Sequence, residues 1–309
     1  MQSKKTERIK EIADQAARKL SGPLGFGFYD LQTGESCYRN GEKLFPTASI
    51  FKIFVLAELY RLRNEGKLSL EDRYPLKGSM KVPGSGILFQ MSEGTDYSLY
   101  DYAFLMMTLS DNTAADFLYE YVGRANIRDH VLKPMGLQNT KVGLSCAELF
   151  QYYCKIDPAL PVEQQMHAYL TGDFRNNDYY FCTQENNDVT TPQDLSTYYT
   201  TMYEGKWCSR QTSSDLLDLM KKCQTNSRIP KKLPVGTQVA HKTGTFDRLV
   251  CDSGIVYTKK GAYILSLLYN GNLASPDEYL RNQGGSYGEA VLAEISKEVF
   301  DIFTDSSKK

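Results

Sequence analysis

Apolar positions recur every three or four residues near the start of the chain, at Ile9, Ile12, Ala13, Ala16 and Leu20, with charged residues between them. That spacing predicts an amphipathic helix over 4–20. Residues 24–31 and 35–39 then flank Gln32-Thr33-Gly34 and read as a β-hairpin. From Ser49 the chain turns almost wholly apolar, through Ile53-Phe54-Val55-Leu56-Ala57, and reads as a helix that Gly66 stops. Pro46 and Thr47 supply its start signals. Residues 67–100 are loop-rich, with a turn at Pro83-Gly84-Ser85-Gly86. A helix over 101–109 stops at Ser110-Asp111-Asn112-Thr113, residues that prefer caps to helix interiors, and another over 114–121 is closed by Gly123. Residues 124–204 carry no strand pattern and read as helices and loops, the last helix being 194–204. Helical spacing returns at 213–223. Residues 235–245, 249–257 and 262–270 are β-rich, and a helix over 287–303 ends the pattern.

The order is therefore helix, hairpin, a long helical middle, three strands, helix. It predicts an α+β fold in which the two chain ends form one antiparallel sheet flanked by helices, with an inserted all-helical subdomain. The expected boundaries are 1–60 with 205–309 for the sheet subdomain and 61–204 for the helical one. A cleft is expected where the two meet.

Composition narrows the function classes. The chain has 309 residues, 41% apolar and 24% charged, which is ordinary for a protein that buries a core. A formal net charge of -1 gives no reason to expect a nucleic-acid or anionic-membrane partner. No apolar run approaches membrane-spanning length. The start, Met1 to Arg8, lacks the apolar core of a signal peptide, so the chain as it stands is expected in the cytoplasm, or outside it if a leader was trimmed. The seven cysteines are scattered without a C-x-x-C pair, and the histidines are only three. Reduced thiols, no metal and no cofactor are the expectation. So is a monomer acting on a small molecule.

Candidate chemistry begins at Ser49 and Lys52. Three apart, they share a helix face, which puts an amine beside a hydroxyl at a helix start. Backbone N–H groups there favour developing negative charge, as nucleophilic acyl transfer requires. Ser-x-x-Lys recurs at Ser306 and Lys309 in the polar tail, so alone it says little. Two further motifs each occur once, in order: Ser110-Asp111-Asn112, ending a helix, and Lys242-Thr243-Gly244-Thr245, on a strand.

With these three motifs in sequence the chain resembles the class A β-lactamase and penicillin-binding superfamily of serine acyl-enzymes. The likeness runs from about Gly25 to the C-terminal helix, and Gly84-Ser85-Gly86-Ile87-Leu88 and Asp188-Val189-Thr190-Thr191-Pro192 support it. The resemblance implies Ser49 as nucleophile, Lys52 as the base that takes its proton, and Ser110 as relay to the leaving nitrogen. Asn112 would hold a substrate amide. Lys242, Thr243 and Thr245 would hold a substrate carboxylate, and Gly244 would let the strand edge close on the backbone N–H groups of Ser49 and Thr245 as an oxyanion hole. Burial and the neighbouring Lys242 would depress the Lys52 pKa. Asp111 reads as a structural cap and His241 as structural; Arg248 is either a further carboxylate clamp or a surface arginine.

One departure stands out. Class A β-lactamases carry a glutamate, in a Glu-x-x-Leu-Asn segment, that activates the water releasing the acyl group. No such segment is evident, and the span from Asn112 to Pro192 is longer than usual for the family. Glu148, Glu163 and Glu185 lie within it, the latter two as better candidates. The expected activity is thus acyl-enzyme formation from a β-lactam or a related amide or ester, with release uncertain. The alternatives are a D,D-peptidase- or esterase-like enzyme with slow β-lactam release, and a covalent sensor without turnover.

Overall fold

The computed structural model describes residues 3–174, 187–271 and 287–305. Its strands are Leu24–Asp30 (β1), Ser36–Arg39 (β2), Phe45–Pro46 (β3), Arg73–Pro75 (β4), Asp96–Ser98 (β5), Val189–Thr190 (β6), Val239–Phe246 (β7), Leu249–Thr258 (β8) and Gly261–Asn270 (β9). Five of them form an antiparallel sheet in the order β2-β1-β9-β8-β7. The predicted hairpin is its far edge, and β7 is the opposite edge.

The helices are Lys4–Ala17 (α1), Lys52–Asn64 (α2), Leu99–Thr108 (α3), Asn112–Val122 (α4), Arg124–Asn126 (α5), Cys146–Cys154 (α6), Val162–Thr171 (α7), Pro192–Glu204 (α8), Arg210–Met220 (α9) and Tyr287–Thr304 (α10). Both chain ends cover one face of the sheet. There α1 and α10 bury Ile9, Ala13, Val299 and Phe303 against Phe26, Phe28 and Tyr263. The period-2 alternation of β1 leaves Gly25 and Gly27 on the other face, where a Cβ on Gly25 would meet the Phe45 ring at 2.6 Å. Small residues here let α8 and β3 approach the sheet closely.

The second layer is organised by α2. A 3-10 turn, Ala48–Phe51, feeds into it, and every residue from Lys52 to Arg61 is buried. A helix apolar on all sides has no solvent face to offer, which is why this segment became the hub of the helical layer. Its one buried ion pair is local: Arg61 donates to both Glu58 oxygens, at 2.6 and 2.7 Å.

The structure departs from the periodicity in short pieces. β3 pairs with β6 and β4 with β5, in segments expected to be loop or helix. Two- and three-residue strands are too short for alternation to register. β7 begins at Val239 because residues 234–237 form a turn, closed by Thr237 N–H to the Pro234 carbonyl at 3.0 Å. Ser49 lies in the 3-10 turn rather than in the α-helix proper. Among the described residues no helix is long and apolar enough to cross a membrane.

Candidate active site

Among the described residues four non-glycine positions have positive φ, Asn40, Ala48, Ser110 and Lys155, and two of them, Ala48 and Ser110, lie at the sequence motifs. Ala48, immediately before Ser49, has φ of 40°, and Ser110 has φ of 57°. Non-glycine residues in the left-handed region cost about 1–3 kcal/mol each and persist only where the surroundings enforce them. Here the enforcing contacts are visible. Thr47 N–H donates to the Asp188 carbonyl at 2.9 Å, ahead of the serine. Asp111 caps α4 by accepting from Ala114 N–H at 2.9 Å, and its other oxygen accepts from the N–H groups of Ile87 and Leu88 at 2.6 and 2.9 Å. It is the structural cap expected, and it also ties the 83–88 loop to the α3–α4 junction. Asp111→Ala leaves three backbone donors unpaired, two of them buried, and is expected to destabilise the fold by about 2–4 kcal/mol, read from urea denaturation.

Between these anchors lie two buried lysines. Lys52 Nζ donates to the Ser110 carbonyl at 2.7 Å, to Ser110 Oγ at 3.3 Å and to Asn112 Oδ1 at 2.8 Å. Lys242 Nζ donates to the same Ser110 Oγ at 2.9 Å and to the Thr243 carbonyl at 2.9 Å. Ser110 Oγ thus joins two amines. Burial pushes the Lys52 pKa down, against the pull of Cys146, Asp116 and Asp111. Burial first, and the Lys52 charge second, bring Lys242 down to about 7. Burial therefore leads at both amines, and at Lys242 the Lys52 charge adds to it.

Ser49 lines a pocket with Ser85, Asn112, Cys146, Phe150 and Thr245, so the structure brings members of all three motifs to one place. No hydrogen bond joins Lys52 Nζ to Ser49 Oγ among the described residues; such contacts commonly tighten only when substrate is bound. Asn112 is already engaged, its Oδ1 by Lys52 and its Nδ2 by the Pro83 carbonyl at 2.9 Å, leaving one N–H to offer. A Cβ on Gly244 would lie 2.2 Å from the Thr47 carbonyl oxygen, so only glycine lets β7 run this close to the serine turn.

Several participants escaped the sequence reading. Arg228, in the loop before β7, is buried and donates to Thr245 Oγ1 at 2.5 Å and to the Gly244 carbonyl at 3.0 Å. Glu289 pairs with its guanidinium at 3.1 Å, so Arg228 braces the end of β7 with its charge already balanced. Arg248, the earlier candidate, donates from Nε to the Gly271 carbonyl at 2.8 Å. His241 faces away from Lys242 and bonds Asp252 through Nδ1 at 2.8 Å.

The start of α6 borders the Ser49 pocket. Cys146, its first residue, lines the Ser49 pocket and lies 3.5 Å from Asn112 Oδ1. Cys146-Ala147-Glu148-Leu149-Phe150 carries a leucine at the spacing of Glu-x-x-Leu-Asn, with Cys146 and Phe150 at its two polar positions. That leucine was the available signal. Glu148 points elsewhere, accepting from Arg124 at 2.6 Å and capping Ser145 N–H at 2.8 Å. Glu163 is exposed in the first turn of α7, and Glu185 lies outside the described residues. Asp116 is a nearby buried carboxylate, and its oxygens accept from Cys146 and Ala147 N–H at 2.7 and 2.8 Å.

A five-stranded antiparallel sheet whose edge strand meets a helical layer over a serine turn is the architecture of the serine β-lactamase fold. The chain belongs to the beta-lactamase enzyme family, which it matches over residues 4–303, a family of hydrolases acting on β-lactams. It is 23% identical to beta-lactamase PSE-4 of Pseudomonas aeruginosa, over 99% of this chain and 94% of that one. Among solved structures, a beta-lactamase from Sphaerobacter thermophilus superposes with a TM-score of 0.76 at 24% identity, covering 96% and 97% of the two chains. PBP-A superposes with a TM-score of 0.74 at 24% identity, covering 96% of each, and a variant of it is known as an acyl-enzyme complex with penicillin G.

Proposed function

We propose that this chain opens a β-lactam, or a related amide or ester, by forming an acyl-enzyme on Ser49, and that it releases the acyl group slowly. The observation that carries this reading is the buried chain Lys52–Ser110–Lys242, beside the pocket that Ser49 lines. Lys52, neutral, takes the Ser49 proton as Oγ bonds the ring carbonyl carbon. Ser110 Oγ, within reach of both amines, passes a proton to the nitrogen as the C–N bond breaks. Lys242 and Thr245 attract the substrate carboxylate. The oxyanion falls to the backbone N–H groups of Ser49 and Thr245. Slow release is favoured because the pocket carries Cys146 and Phe150 where the enzymes it resembles need a carboxylate and an amide.

The test is to label the protein with penicillin and map the adduct. Ser49 is the expected site, and an adduct on any other serine contradicts the mechanism. Glu163→Gln and Glu185→Gln are expected to leave the adduct lifetime within about twofold, measured by mass over time, since neither is assigned a part in release. A lifetime lengthened tenfold or more by either would make that residue the deacylating base.

A further inference from the structure

Aromatic rings build one wall of the Ser49 pocket. Phe150 and Tyr169 have ring centroids 4.9 Å apart. Tyr169 stacks on Phe174 at 6.2 Å, and Phe174 on Phe246 at 6.3 Å, each pair only 15° from parallel. The series runs from α6 through α7 to the end of β7, and Phe150, Tyr169 and Phe246 all line the pocket that holds Ser49. Ala48, Phe51 and Leu149 add to its apolar lining, and among the described residues no charged side chain lines it. A charged or strongly polar group placed against this wall would lose its water without replacement partners. The free space is about 40 Å³, room for a water or so and far less than the ~150 Å³ cavity that accepts benzene. A ring therefore enters by turning a wall ring aside rather than by filling a void, which favours a flat group over a bulky one.

Resting on the acyl-enzyme reading above, we propose that this wall is the subsite for the side chain of the transferred acyl group, and that the chain selects a flat aromatic acyl group over a small or polar one. Tyr169 is its central contact, because it touches Phe150 on one side and Phe174 on the other. In this reading Tyr169 of α7 and Phe174 contribute specificity, not chemistry.

The experiment compares the rate of Ser49 labelling by benzylpenicillin with that by aminopenicillanic acid, the same bicycle and carboxylate without an acyl group, using the whole chain and mass detection. Benzylpenicillin is expected to label at least about tenfold faster, the range that one or two aromatic contacts supply. Tyr169→Leu keeps apolar bulk without a flat ring and is expected to cut that advantage severalfold, whereas Tyr169→Phe retains it. Equal rates for the two compounds, or an advantage that Tyr169→Leu does not reduce, would overturn the aromatic subsite while leaving the acyl-enzyme standing. If neither compound labels Ser49, the acyl-enzyme reading fails and this inference falls with it.

Discussion

Cys146→Glu is expected to shorten the lifetime of a penicillin adduct on Ser49 by about a hundredfold or more. An ester in this pocket is released only when a water is held and deprotonated, and general-base help is worth roughly 10²–10⁴-fold. Cys146 occupies the position from which that help would come, since it lines the pocket and lies beside Asn112. Burial holds its thiol well above the ordinary cysteine pKa, so it is a neutral group that cannot take a proton from water. Asp116 is no substitute. Both of its oxygens are committed to backbone N–H groups, and burial raises its pKa as well. A glutamate at 146 would stand near Lys52 and Asn112 with a free carboxylate. Phe150 beside it offers a water no hydrogen bond, so Cys146→Glu with Phe150→Asn is expected to release faster than Cys146→Glu alone. Adduct decay followed by mass spectrometry checks both variants. Unchanged lifetimes would mean that release is limited by something other than an absent base.

Lys52→Ala is expected to slow acylation by about 10²–10⁴-fold, the usual worth of a positioned base, while Lys242→Ala fails in a different way. The distinction follows from charge. Lys52 serves as a base only when neutral, and burial lowers its pKa, so acylation rises with pH through that depressed value. Lys242, brought down to about 7, attracts a substrate carboxylate when protonated, so its contribution is present below about pH 7 and fades above it. The wild-type profile of acylation efficiency therefore has a rising limb from Lys52 and a falling limb from Lys242. Removing Lys242 abolishes the falling limb. It also removes a neighbouring positive charge, so Lys52 holds its proton to higher pH and the rising limb moves up. Acylation rates from pH 5 to 10 separate the cases as concentration dependence against rate. Equal rate losses with unshifted profiles in both variants would contradict these roles.

The main architecture was legible because long elements carry their period plainly. The apolar run of α2 and the three strands β7, β8 and β9 declare themselves over eight or more residues, and α10 does so by spacing. What stayed hidden is short or depends on contacts distant in sequence. β3 and β6 are two residues each and exist through pairing across the chain. Arg228 carries no motif; only the path of its loop along the edge strand brings it to Thr245. The three motifs that point to Ser49 were readable because acyl transfer needs particular residue types at fixed local spacing. The deacylating position was not, because at 146 and 150 the residues that would have identified it are replaced, and an inserted stretch separates them from Thr190-Thr191-Pro192. Depression of Lys52 was anticipated, with burial and Lys242 both named as causes; burial is the one that lowers it here, and it follows from the packed centre of the helical layer.

The central claim is that Ser49 is acylated readily and freed slowly. Intact-mass spectrometry of the whole chain after adding penicillin, sampled from seconds to hours, measures both steps in one record. The account predicts a single added penicillin mass that appears early, persists for most of the time course, and is absent in Ser49→Ala. A protein that consumes penicillin steadily while its own mass never changes would contradict it.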